Sequence, residues 1–174
     1  MKLSSWPKFD KEEIEGVSQV LSSGKVNYWT GNKGKDFEKK FADYVGTRKA
    51  IALSNGTVAL SAAYLSLGLG EGDEFITTPR TFIATASSGV LLGAKPIFAD
   101  VDIESGCISA KTIEPLITKK TKVISVVHLG GWPANMKQIC NLAKDKGIYV
   151  LEDCSQAHGA KIKGKSVGSF GDVA

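Results

Sequence analysis

The chain has 174 residues, of which 43% are apolar and 23% charged, and its 22 basic and 18 acidic side chains leave a net charge of +4. That balance is close to the globular average and amounts to about one domain, which excludes collagen, coiled coil and a disordered chain; so small and dispersed a positive charge does not announce a nucleic-acid surface. No apolar run approaches the roughly 18 residues of a membrane span, and Asp10, Glu12, Glu13 and Glu15 stand where a secretion signal needs apolar residues, so a cytoplasmic protein is expected.

Lys11 to Leu21 places Ile14, Val17, Val20 and Leu21 at helical spacing, with acids in the first turn where the helix dipole favours them. Asp36 to Tyr44 repeats the logic with a stripe of Phe37, Phe41 and Tyr44. Beyond this the pattern turns to short apolar runs alternating with helical stretches. Strands are expected at Ala50–Leu53, Glu74–Thr77, Pro96–Ala99, Lys122–Val127 and Gly147–Leu151. Helices are expected at Val58–Leu67, Phe82–Leu92, Ala110–Leu116 and Asn135–Lys146. Strands without polar alternation, separated by helices, predict an α/β fold with a mostly parallel sheet sandwiched by helices. Such folds collect ligands beyond the carboxyl ends of their strands. The groups expected there are Ser54–Thr57, Thr78–Phe82, His128–Trp132 and Asp153–His158.

Ser54-Asn55-Gly56-Thr57 opens a helix straight after an expected strand. Unpaired N–H groups and a partial positive charge at a helix start suit a phosphate, although Ser, Asn and Thr are also ordinary capping residues. Gly68-Leu69-Gly70-Glu71-Gly72 follows a helix rather than a strand and lacks the dinucleotide spacing, so it reads as a helix-terminating turn. No phosphate-binding G-x-x-x-x-G-K-[ST] segment occurs. Glu152-Asp153-Cys154-Ser155-Gln156 offers a carboxylate that could pair with a cationic ring and an amide that could bond a ring substituent; it could equally be a self-capping surface loop. Phe82 could stack on a planar ligand or pack in the core, and Trp29 is similarly open. Cys107, Cys140 and Cys154 are odd in number and lack metal-ligand spacing, which fits reduced thiols in a cytosolic protein; no metal is expected.

Taken in order, four stretches resemble the pyridoxal-phosphate-dependent sugar aminotransferases of the DegT/DnrJ/EryC1/StrS group: GKVNYWTGNKGKDFEKKFADYVGTRKAIALSNGTVAL, GDEFITTPRTFIATASSGVLLGAKPIFADVD, HLGGWPANM and VLEDCSQAHGAKIKGKSVGSFGDVA. The resemblance implies the large domain of fold-type I pyridoxal enzymes, usually a homodimer, with pyridoxal 5'-phosphate as cofactor. It implies that Gly56, Thr57 and the Val58 backbone hold the phosphate, that Phe82 stacks on the pyridine ring, that Asp153 pairs with the ring nitrogen and that Gln156 bonds the phenolic oxygen. Tyr28, Trp29 and Thr30 correspond to a segment near the sugar-nucleotide pocket. His128 and His158 match the pattern without an assigned role.

The family's Schiff-base lysine falls shortly after a segment like GSFGDVA, which here ends at Ala174. That lysine is therefore expected beyond Ala174, and no catalytic residue is assigned within the chain. Residues 1–174 are expected to be the amino-terminal part of the cofactor-binding domain, without the lysine and the small carboxy-terminal domain, and inactive alone. The resemblance implies a nucleotide-linked keto sugar and an amino-acid donor such as glutamate as substrates, in amino-sugar or surface-polysaccharide synthesis, with no nucleic-acid or membrane partner. The alternatives are a keto-deoxysugar dehydratase of the same fold, with histidine in place of the lysine, a fragment acting through subunit association, and a plain nucleotide-binding module.

Overall fold

A computed structural model describes residues 7–174, which include the acids from Asp10 to Glu15 considered above. Helix α1 (Lys11–Ser23) starts on a reciprocal cap: the Asp10 carboxylate accepts the Glu13 N–H at 2.9 Å, and the Glu13 carboxylate accepts the Asp10 N–H at 2.8 Å. Helix α2 (Lys33–Val45) stops at Gly46, whose φ of 85° suits a left-handed cap. Both helices form where the periodicity places them, but Ile14, Val17 and Leu21 of α1 and Phe37 and Tyr44 of α2 stay exposed.

Ala50–Leu53 is not a strand, contrary to expectation. The segment has no ladder partner, Ile51 is 77% exposed, and the Ala52 N–H is donated to the Glu38 carboxylate of α2 at 2.9 Å. Four apolar residues specify a preference for an extended chain, but a strand also needs a neighbour to pair with.

The expected alternation then holds: α3 (Gly56–Ser66), β1 (Glu74–Thr77), α4 (Ala84–Val90), β2 (Lys95–Phe98), α5 (Ala110–Ile113), β3 (Thr121–Val127), α6 (Met136–Lys146) and β4 (Tyr149–Asp153). One 3-10 turn, Glu114–Leu116, extends α5. The four strands form one parallel sheet in the order β2-β1-β3-β4. A small antiparallel hairpin, β5 (Lys161–Ile162) and β6 (Lys165–Ser166), turns through Lys163 and Gly164, both at positive φ, and was not foreseen. Val173 makes a parallel bridge to Leu151 at the free edge of β4. Ala174 follows it, exposed on the surface.

Successive side chains on a strand face opposite sides, and the sheet builds two cores accordingly. Phe75, Val123 and Leu151 pack under α3 and α4 with Leu60, Tyr64 and Ala84. Ile76, Ile124, Val126 and Val150 pack on the other face against Met136, Ile139 and Ala143 of α6 and Ile113 of α5. Each fully buried large side chain contributes about 1.5–3 kcal/mol relative to exposure, so this double-sided burial holds the strand ends, and the groups on them, in place.

Candidate functional site

The same alternation distributes the last residues of β3 and β4. Val127 and Asp153 are partners in register and turn toward the α3–α4 side, while Glu152 turns to the opposite side. Beyond the carboxyl ends of the strands lies a cleft of about 250 Å³. Gly56, Thr57 and Leu60 line it from α3; Thr81, Phe82 and Ala84 from the approach to α4; Val127, Asp153, Ser155 and Gln156 from the strand ends.

At the start of α3 the Asn55 side chain accepts the Val58 N–H at 3.0 Å. The Val58 amide, grouped above with the phosphate-holding backbone, is thus already engaged by the cap. The N–H groups of Gly56 and Thr57 have no hydrogen-bond partner among the described residues, so these two point the helix's positive end into the cleft. A Cβ on Gly56 would sit 3.5 Å from the Ser155 hydroxyl, and that hydroxyl is donated to Asp153 Oδ1 at 2.6 Å. Helix start and carboxylate therefore share one cavity.

Asp153, 7% exposed, is held at both oxygens. Oδ1 accepts the Ser155 N–H (3.1 Å) and hydroxyl (2.6 Å), and Oδ2 accepts the Thr85 hydroxyl at 2.7 Å. Phe82, on the rim, is 67% exposed, an apolar ring with an uncovered face. Gln156 Oε1 accepts the Gly130 N–H at 2.9 Å, which assigns its amide orientation and leaves the NH2 as a donor at the cleft wall.

Tyr28, Trp29 and Thr30 do not line this cleft. They sit on a loop organised by Asn27 Oδ1, which accepts from the Trp29 N–H, the Thr30 N–H and the Thr30 hydroxyl. The Tyr28 hydroxyl donates to Glu38, and Trp29 is 87% exposed. Trp132 does not line the cleft either. His158 packs its ring against Phe41 of α2. Ala174, the position after which the Schiff-base lysine is expected, lies apart from the cleft lining as well. A Cβ on Gly168 would meet the Ala174 methyl at 3.4 Å, together with Cys154 Sγ, which places the residue beside the Gly168 turn.

On the opposite face lies a buried pair that sequence reasoning left without a role. His128 Nδ1 accepts the Ala134 N–H at 3.1 Å, which places the ring proton on Nε2, donated to Glu152 Oε2 at 3.1 Å. Glu152 also accepts the N–H groups of Gly168 (2.9 Å), Phe170 (2.7 Å) and Gly171 (2.7 Å). Burial alone would push this carboxyl up, but the hydrogen bonds from His128 and the three amides outweigh it and hold the group below its ordinary value. The signal in the sequence was the Glu152-Asp153 dipeptide itself: two adjacent acids at a strand end must face opposite sides of the sheet.

Cys154 approaches His128 and Glu152, so that one donor atom of each lies within 4.8 Å of the others. Both His128 nitrogens and both Glu152 oxygens are spent on hydrogen bonds, and burial, with the charges of Glu152 and Asp153, pushes the Cys154 thiol up. This donor set does not fit a metal.

The fold and cleft define a parallel α/β protein with a cavity at the carboxyl ends of its strands, bounded by a helix start with two free amides and by a fixed carboxylate. The chain belongs to the DegT/DnrJ/EryC1/StrS aminotransferase family, whose profile matches residues 7–174. It is 45% identical over 170 residues to a GDP-perosamine synthase of Escherichia coli O157:H7, covering 96% of this chain and 46% of that protein. Among solved structures it superposes on an aminotransferase from Psychrobacter cryohalolentis with a TM-score of 0.95 at 51% identity, covering 98% of this chain and 43% of that one. The PLP form of Spr1654 from Streptococcus pneumoniae gives 0.90 at 29% identity, over 95% and 46% of the two chains. The chain thus spans a little under half the length of these relatives. Aminotransferases of this family use pyridoxal phosphate. The residues present fit that group: two free amides for an anion, an uncovered aromatic face for a planar ring and a carboxylate for its nitrogen, around one cavity.

Proposed function

We propose that this chain forms the cofactor-cradling part of a pyridoxal-phosphate-dependent aminotransferase acting on a nucleotide-linked keto sugar, with an amino acid such as glutamate as amino donor and an amino sugar for surface polysaccharide as product. The observation that carries the reading is the shared cavity of the free α3 amides and the doubly anchored Asp153.

In this reading the N–H groups of Gly56 and Thr57, with the Thr57 hydroxyl, take the phosphate. Phe82 covers one face of the ring and excludes water from it. The Gln156 NH2 donates to the phenolic oxygen. Asp153 accepts from the ring N–H and favours its cationic form. The cofactor, when bound, supplies an electron sink that stabilises negative charge at the amine-bearing carbon. Among the described residues, which run to Ala174, no lysine lines the cleft, so the 174-residue chain is expected to bind the cofactor's amine form without turning over substrate. Tyr28, Trp29 and Thr30 are assigned to the sugar-nucleotide side of a site completed by a second copy of the chain. Their exposure and their absence from this chain's own cleft support that assignment, and with it a homodimer. Three free cysteines fit a reducing, cytoplasmic setting.

The test is calorimetric titration of the chain with pyridoxamine 5'-phosphate, which, being an amine, does not condense with surface lysines. Saturable binding is expected, weaker by about 10- to 100-fold for Asp153→Asn, which removes a charge-assisted bond of about 1.5–3 kcal/mol, and by at least as much for pyridoxamine lacking the phosphate, which loses the donors of Gly56 and Thr57. Binding that ignores either change, or NAD or ATP binding as well, would sink the reading.

A further inference from the structure

We propose that Thr85 is a positioning residue for Asp153, supported from the cleft by Thr81, and that its hydroxyl fixes the direction in which the carboxylate meets a ring cation. The proposal rests on the functional reading above and assigns it a residue that touches no ligand.

Thr85 lies in the first turn of α4, and Thr81 stands four residues earlier, on the approach to that helix. Thr85 is fully buried, whereas Thr81 reaches the cleft. The Thr85 hydroxyl lies 2.7 Å from Asp153 Oδ2 and 2.9 Å from the Thr81 hydroxyl. A hydroxyl has one hydrogen to donate. A carboxylate only accepts, so the Thr85 hydrogen goes to Asp153, and the Thr81 hydroxyl must be the donor in the bond between the two threonines. The relay therefore has one polarity, from the cleft surface through Thr85 to Oδ2.

The anchor is rigid because the Thr85 backbone is tied down as well. Its carbonyl accepts the buried Tyr64 hydroxyl at 2.8 Å, and its N–H donates to the Phe82 carbonyl at 3.2 Å. With Ser155 gripping Oδ1 through two bonds and Thr85 gripping Oδ2, rotation of the carboxylate plane breaks contacts at both ends. Asp153 lines the cleft, so a carboxylate held at both oxygens meets a ligand there in a fixed orientation. Valine fills the same volume as threonine but has no hydrogen to give, so the hydroxyl, and not packing, is what position 85 contributes here.

The experiment compares the unsubstituted chain with Thr85→Val, Thr85→Ser and Thr81→Val. Binding of pyridoxamine 5'-phosphate is measured by calorimetry across pH, and the ultraviolet absorption of the bound ligand reports the protonation of its ring. Thr85→Val should bind about tenfold more weakly, the share of one charge-assisted hydrogen bond. It should also move the absorption transition of the bound ligand to lower pH, because a loosely held carboxylate supports the ring cation less well. Thr85→Ser should restore both properties. Thr81→Val, at the outer end of the relay, should shift both the same way by a smaller amount, and it keeps the test open should Thr85→Val not fold. Equal weakening at every pH with an unmoved transition means a merely structural role and overturns the proposal, as does a Thr85→Val protein indistinguishable from its parent. If the unsubstituted chain does not bind, or ignores Asp153→Asn, the functional reading falls and takes this proposal with it. If those controls hold and only the threonine variants are silent, the proposal falls alone.

Discussion

Replacing Glu152 by glutamine tests the buried pair behind the cleft. The side chain is 1% exposed, and each oxygen accepts two donors: His128 Nε2 and the Gly168 N–H at Oε2, the Phe170 and Gly171 N–H groups at Oε1. A glutamine has one acceptor oxygen, so whichever way its amide is turned, two buried donors face an NH2 group. Shifting the His128 proton to Nδ1 would rescue one of them only by setting it against the Ala134 N–H. Two unsatisfied buried donors at about 1–3 kcal/mol each give about 2–6 kcal/mol of destabilisation, a large part of the 5–15 kcal/mol available to a domain. The cost also depends on pH. The carboxyl is held below its ordinary 4.5 in the folded chain, so its contribution is fully present above that unfolded value and is lost as pH falls through the lower folded one. Urea denaturation of parent and Glu152→Gln should therefore show the full gap near neutral pH and a narrowing gap on acidification below about pH 4.5. A gap below about 0.5 kcal/mol at neutral pH, or one that does not narrow in acid, would refute the account.

Two further outcomes follow from the packing and from the thiols. Alanine at Gly89 would place its Cβ 2.6 and 2.7 Å from Cε1 and Cζ of the buried Phe75 ring, so Gly89→Ala should cost about 1–3 kcal/mol; Phe75→Leu should be less harmful in that background than in the parent, and additive losses would argue against the contact. Burial pushes the thiols of Cys107, Cys140 and Cys154 upward, aided at Cys154 by Glu152 and Asp153. All three should react with an aromatic disulfide at pH 8 at least about tenfold more slowly in the native chain than in denaturant; one rapidly reacting native thiol would contradict this.

The local signals in the chain were strong where one segment decides its own conformation. The 3.6-residue periodicity of α1, the acids in its first turn, the aromatic stripe of α2 and the β-branched run of β3 could all be read directly, and so could the alternation that makes the sheet parallel. That Phe82 and Asp153 gather at one end of the sheet could be read because each follows a strand, whereas Gly56 lines the same cleft from a helix start with no strand before it. Ala50–Leu53 failed for a physical reason: hydrophobicity favours an extended chain, but ladder pairing depends on a partner that no single segment encodes. Tyr28, Trp29 and Thr30 matched a pattern, and only the folded chain places them away from its own cleft.

By itself the sequence determined the alternation of helix and strand from α3 to β4, the helix start at Gly56 and the presence of an acid at the end of β4. The tertiary structure alone decided that Asp153 faces the cleft while Glu152 turns away to His128, and that Thr85, 68 residues distant in the chain, grips Asp153. Hydrogen bonds across such separations arise only when packed strands and helices bring their ends together, and no local propensity carries that information.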